Sequence, residues 1–237
     1  MGRGLRNSQN LSFVGMLALT ALVTVFAYQE IHREWVLFRK AETAFSKKGF
    51  SEAVSLYEEA IAAGARTPTA YRRLGESCLA LGRFREALET YEQLLRLYPE
   101  DLSAMKNLAA LYDQFDRPED AIALYLRYES RSSLDVPSLL RLANLYQRKQ
   151  DWESAGSLYR KILDRDPGSV AGRMGLAELL SWTRRYEEAE ALYRDVLKED
   201  PGHRRARIQL ARVLSWSGRF EESIEEYRTA LNPSSGK

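Results

Sequence analysis

A period of 34 residues restricts what this chain can fold into more than any other feature. Residues 204–231, RRARIQLARVLSWSGRFEESIEEYRTAL, align without a gap on residues 170–197, VAGRMGLAELLSWTRRYEEAEALYRDVL. The same frame gives segments 34–67, 68–101, 102–135, 136–169, 170–203 and 204–237. Numbering each from 1, position 8 is small throughout (Ala41, Gly75, Ala109, Ala143, Ala177, Ala211), and so is position 20 (Ala53, Ala87, Ala121, Ala155, Ala189, Ser223). Position 24 is always tyrosine: Tyr57, Tyr91, Tyr125, Tyr159, Tyr193 and Tyr227. Position 17 is aromatic at Phe50, Phe84, Trp152, Tyr186 and Phe220, and position 7 is leucine except at Lys40. Small residues at fixed sites let paired helices approach while large ones fill the space beside them. Such a chain grows by stacking units against their neighbours and not by enlarging one core.

Local signals agree with a helical unit. Residues 71–81 and 85–97 carry apolar residues at helical spacing on either side of Gly82, and Pro118 follows Asp116 in a first-turn position. The small-8, small-20, aromatic-24 pattern, with Pro99, Pro167 and Pro201 at position 32, resembles the tetratricopeptide repeat over residues 34–237. The resemblance implies an all-α fold, a right-handed superhelical solenoid of helix–turn–helix repeats. The first helices would line a concave groove.

Two places depart from the pattern. ESRSSLDVP, residues 129–137, replaces the usual Asp-Pro turn and predicts a looser joint dividing the array into two sets of three repeats. At the other, position 23 is Leu56, Leu124, Leu158 and Leu192 but Thr90 in the second repeat and Glu226 in the last. With Ser223 and Ala230 nearby, the final helix is expected to leave little apolar surface and to cap the array.

Ahead of the repeats, residues 1–10 form a short basic tail with Arg3 and Arg6, and Leu11 to Ala27 runs without a charge. Such a run spans about 26 Å as a helix, close to the ~30 Å of a bilayer core. It predicts one N-terminal transmembrane helix over residues 11–31, a signal anchor in preference to a signal cleaved after Val25-Phe26-Ala27. The basic tail favours a cytoplasmic N-terminus, although Arg33, Arg39, Lys40, Lys47 and Lys48 pull the other way. The expected placement is a single-pass protein of a bacterial inner membrane with the array facing the periplasm. With no Pro or Gly between Gly15 and Gly49, the span is expected to continue into the first repeat as one rod, Leu11–Lys47. Trp35 and Phe38 would then lie either at the lipid headgroups or inside the first repeat.

Charge excludes some functions. Arg3, Arg6, Arg33 and Glu30 are the only Lys, Arg, Asp or Glu residues before position 34, so 32 of each sign follow. There is no bulk positive field for nucleic acid. The lone Cys78 excludes an internal disulfide and a cysteine metal cage. His32 and His203 stand far apart in the array, and no hydrolase, kinase or phosphate-loop motif occurs. The reading is therefore a non-enzyme without cofactor or metal.

Binding chemistry is sought on the groove positions that the resemblance implies. Arg72, Arg73, Lys106, Asn107, Arg141, Asn144 and Arg148 stand there, long donors suited to a carboxylate or another anion. Asn107 and Arg141 match the clamp by which chaperone-binding relatives hold a terminal carboxylate, and Arg72 replaces a lysine. Glu76 and Pro137 break that clamp and disfavour it. Trp182 and Trp216 share position 13 in LSW triplets. They form either a ladder of aromatic faces for sugar rings or peptide side chains, or two indoles packed on Arg185 and Arg219. The surrounding phrase is similar to repeats in bacterial envelope proteins of exopolysaccharide export. The leading expectation is a membrane-tethered scaffold that binds a protein segment in its groove, within an envelope secretion or assembly complex. Alternatives are a polysaccharide-handling module and a cytosol-facing receptor for chaperones or cargo on an organelle membrane.

Overall fold

The computed structural model describes residues 19–24, 27 and 32–231. Among the described residues there are twelve helices from Arg33 onward and no strand. They follow one another in pairs: α1 (Arg33–Ser46) with α2 (Phe50–Ala63), α3 (Pro68–Ala80) with α4 (Phe84–Leu97), and α5 (Leu102–Gln114) with α6 (Pro118–Glu129). Next come α7 (Val136–Arg148) with α8 (Trp152–Arg165), α9 (Val170–Trp182) with α10 (Tyr186–Glu199), and α11 (Arg204–Trp216) with α12 (Phe220–Leu231).

Local chemistry sets the helix ends. Thr67 accepts from the Ala70 amide at 3.2 Å ahead of Pro68, and Asp135 accepts from Ser138 at 3.0 Å ahead of Pro137. Each satisfies an amide that the helix leaves unpaired. His203 does the same for α11, its Nδ1 accepting from Ala206 at 3.0 Å, which gives that histidine a structural task. The turn within each pair places one residue in the left-handed region: Lys48, Gly82, Asp116, Gln150, Arg184 and Gly218, spaced 34 apart, all have φ between 56° and 81°. Only two are glycine, so the others hold a conformation that costs an L-residue about 1 kcal/mol.

The chain divides into two compact units, residues 1–108 and 109–237, with the boundary inside α5. The joint expected at 129–137 lies instead within the second unit and is tied down. Leu134 is buried, the Arg165 guanidinium donates to its carbonyl at 2.5 Å and to Ser133 Oγ at 2.7 Å, and Lys161 pairs with Glu129. These contacts replace the rigidity that an Asp-Pro turn would supply.

Tyr57 and Tyr91 in the first unit and Tyr125, Tyr159 and Tyr193 in the second are no more than 1% exposed. Their burial depends on close approach. A Cβ added to Gly175 on α9 would lie 2.3 Å from Tyr159 Cε1 on α8. Alanine favours a helix by about 1 kcal/mol over glycine, yet Gly175→Ala is expected to destabilise the second unit by about 1–3 kcal/mol, because the ring cannot move out of a filled core. Urea denaturation of the variant checks this, and an unchanged midpoint would show that the ring has room to shift.

The last helix is not the polar cap expected. Phe220, Ile224, Tyr227 and Leu231 form a stripe along α12 that is 63%, 50%, 36% and 69% exposed. Glu226 lies on another face, paired with Arg207 at 2.8 Å, and Ser223 donates to the Ala211 carbonyl at 2.8 Å. Position 23 thus says little about the outward side of this helix.

The expected membrane placement is also corrected. No helix among the described residues is long and apolar enough to cross a membrane. The paired helices are 12–14 residues long, whereas a span needs about 20 apolar ones. Most of the segment 11–31, the basic tail 1–10 and much of the proposed rod Leu11–Lys47 lie outside the described residues. Phe38 packs within the first pair, meeting Tyr57 at 6.0 Å, whereas Trp35 touches Phe38 edge to face at 6.0 Å and stays 49% exposed.

Candidate functional site

In the second unit α9 packs beside both α7 and α11, so first helices of successive pairs form one wall. A cavity of about 660 Å³ opens on it, lined by Asn144, Gln147 and Arg148 of α7, by Gln150 and Trp152 after it, and by Trp182 and Arg205. The buried Tyr159 fixes the polar groups. Its hydroxyl donates to Asn144 Oδ1 at 2.6 Å, and the Gln147 carboxamide lies 2.8 Å away. Burial pushes this phenol well above its ordinary pKa, so it remains a donor. Asn144 therefore keeps its amide N–H groups for whatever enters.

Beside the cavity stands an aromatic cluster. Trp182 and Trp216 have ring centroids 6.1 Å apart at 45°, and Tyr186 lies 6.5 Å from Trp216. The indoles are 56% and 43% exposed. Arg185 pairs with Glu188 at 2.6 Å, and Arg219 with Glu222 and Glu190 at 2.5 Å. The cation over Trp216 is instead Arg212, 4.9 Å from its centroid.

The basic donors are largely engaged. Arg148 binds Asp113 at 2.7 Å and Asp116 at 2.9 Å, Arg141 stands 3.8 Å from Asp113, and Arg205 stands 3.5 Å from Glu178. In the first unit Arg72 binds Asp101 at 2.6 Å, and Arg73 binds Glu76 at 2.9 Å with its guanidinium over Phe45. The Asp101 hydrogen bond raises the Arg72 pKa despite partial burial. Asn107 donates to Tyr91 Oη at 3.1 Å, and Lys106 lies on the same helix. Hence Asn144, Arg148 and Trp182 share one cavity, with Arg141 and Trp216 on the same wall. Arg72, Arg73, Lys106 and Asn107 belong to the other unit. An anion would have to displace internal carboxylates at most of these positions.

The sequence reading missed Gln147, Gln150, Trp152, Tyr186, Arg205 and Arg212. Trp152 and Tyr186 occupy position 17, whose repetition reads as core. Among the described residues no group of three or more His, Cys, Asp or Glu could hold a metal ion.

Models of the tetratricopeptide repeat match residues 38–84, 66–131, 146–195 and 183–233. No curated protein matches the sequence. Among solved structures, a tetratricopeptide repeat protein from Parabacteroides merdae ATCC 43184 is 20% identical, with a TM-score of 0.69 over 84% of this chain and 79% of its own. YrrB, described as a tetratricopeptide repeat protein with an unusual peptide-binding site, is 14% identical, with a TM-score of 0.66 over 76% of this chain and 93% of its own. MamA is 17% identical, with a TM-score of 0.65 over 71% and 92%. At these identities the likeness is one of fold.

Proposed function

We infer that this chain, which belongs to the tetratricopeptide repeat family, is a protein–protein interaction scaffold of six repeats that holds an extended peptide segment on the wall of α7, α9 and α11. The observation that carries this is the exposed Trp182–Trp216 pair at the edge of the 660 Å³ cavity. Exposed tryptophans bring a large apolar area at low entropic cost, and residues of this type supply much of the binding energy of interfaces. Asn144, Gln147 and Gln150 offer carboxamides, which match the alternating donors and acceptors of a peptide backbone. Because the arginines are paired with nearby acids, specificity rests on shape and apolar anchoring more than on net charge. YrrB, with its own peptide-binding site on the same fold, supports the reading.

A peptide-display library selected on the full chain supplies ligands for the test. Trp182→Ala with Trp216→Ala is expected to weaken the selected peptides about 30-fold or more, by titration calorimetry, since interface anchors contribute upward of 2 kcal/mol. Both indoles are exposed, so the melting temperature should hardly move. Unchanged affinity would overturn the site. Glycan binding lost in the same variant, with no peptide selected, would replace the peptide by a polysaccharide.

A further inference from the structure

Away from this wall, the first unit carries a cavity of about 470 Å³ between α2 and α4. Its apolar lining comes from Ile61, Tyr71, Leu74 and Leu97, the last 48% exposed. Thr90 also lines it, at a position that is leucine at Leu56, Leu124, Leu158 and Leu192. In the second unit Leu124, Leu158 and Leu192 pack on the core. The Thr90 hydroxyl donates to the Glu86 carbonyl of its own helix at 2.7 Å, so its polar atom is already satisfied. What remains is room for an apolar side chain from outside.

The rim has one sign in excess. Glu58, Glu86 and Glu89 line the cavity against Arg66 alone. Arg83 offsets Glu86 from 3.5 Å, whereas Glu58 and Glu89 have no cationic partner among the described residues. We propose that this trough is a second docking site, taking a cationic amphipathic helix of a partner protein. One large aliphatic side chain would fill the space beside Thr90, and lysine or arginine one turn away would meet Glu58 and Glu89. Apolar filling gives such a contact its lifetime, and the carboxylates select against acidic or neutral helices.

The test uses the full chain and a fluorescein-labelled 14-residue leucine–lysine peptide of amphipathic order, with a leucine–glutamate peptide as control. The lysine peptide should bind, and Thr90→Leu should weaken it at least tenfold. That substitution is charge-neutral, installs the residue other repeats carry, and makes the surface more apolar, so a loss of binding can only come from filling the trough. Glu58→Gln with Glu89→Gln should also weaken the peptide and flatten its salt dependence. Trp182→Ala with Trp216→Ala should leave it unchanged, which separates this site from the wall of the second unit. Absence of binding, equal binding of the glutamate peptide, or full affinity in Thr90→Leu would each overturn the proposal.

Discussion

Replacing Tyr159 by alanine is expected to lower the unfolding free energy of the second unit by about 3–5 kcal/mol, whereas Tyr227→Ala should cost only about 1 kcal/mol. The two residues occupy the same repeat position, and the difference comes from what covers them. Tyr159 is 1% exposed, lies against Gly175 of the following helix, and anchors Asn144 and Gln147 by its hydroxyl. Truncation removes a large ring, leaves a cavity beside a glycine that cannot fill it, and frees two carboxamides at the binding wall. Tyr227 is 36% exposed, so much of its area never left water. Urea titration of the two variants measures the contrast, with Tyr159→Phe separating the ring from the hydroxyl at about 1 kcal/mol. Equal losses would mean that the Tyr227 face is covered in solution, and a concentration-dependent midpoint would then identify another copy of the chain as the cover.

That contrast also marks how far the sequence was legible. The small residues at positions 8 and 20 and the tyrosines at 24 repeat because every helix pair solves the same packing problem, so the period alone gave the helices and most of the core. It could not distinguish Tyr227 from Tyr159, since exposure depends on what lies beyond a residue and not on its own identity. The left-handed φ of Lys48, Asp116, Gln150 and Arg184 was likewise hidden, because closure of the pair imposes it and no glycine announces it. The 129–137 turn looked loose by composition, yet Arg165, about thirty residues on, holds it. The candidate site divides the same way. Trp182 and Trp216 were legible as neighbours because 34 residues is one step along the stack. The pairing of Arg72 with Asp101 and of Arg148 with Asp113 and Asp116 was not, since side chains choose partners in three dimensions. Positions that read as free basic donors are therefore paired with acids in each unit.

The chain is also expected to unfold steeply in alkali, beginning near pH 10. Burial is the main reason that Tyr125 and Tyr193 are pushed up to about 12, with the ordinary value at 10.0. Burial drives Tyr57, Tyr91 and Tyr159 further in the same direction, and for Tyr57 a hydrogen bond to Glu42 adds to it. In each case the folded protein keeps a proton that the unfolded chain releases. The stabilisation is thus complete below pH 10 and is lost as pH rises from 10 through the folded-state values. Each tyrosine contributes a slope of about 1.4 kcal/mol per pH unit in that window, so two in the first unit give about 3 and three in the second about 4. For a stability in the lower half of the 5–15 kcal/mol typical of a domain, about one to three pH units suffice for unfolding. Tyr125 offers the cleanest control, because its buried hydroxyl has no hydrogen-bond partner among the described residues. Tyr125→Phe should be neutral or slightly stabilising at pH 7, since it removes an unsatisfied polar atom, and should reduce the alkaline slope of the second unit by about one third. Urea midpoints from pH 8 to 11.5 measure both effects. Stability that stays level through pH 11.5 would show that these phenols ionise in place, which would require water to reach all five rings.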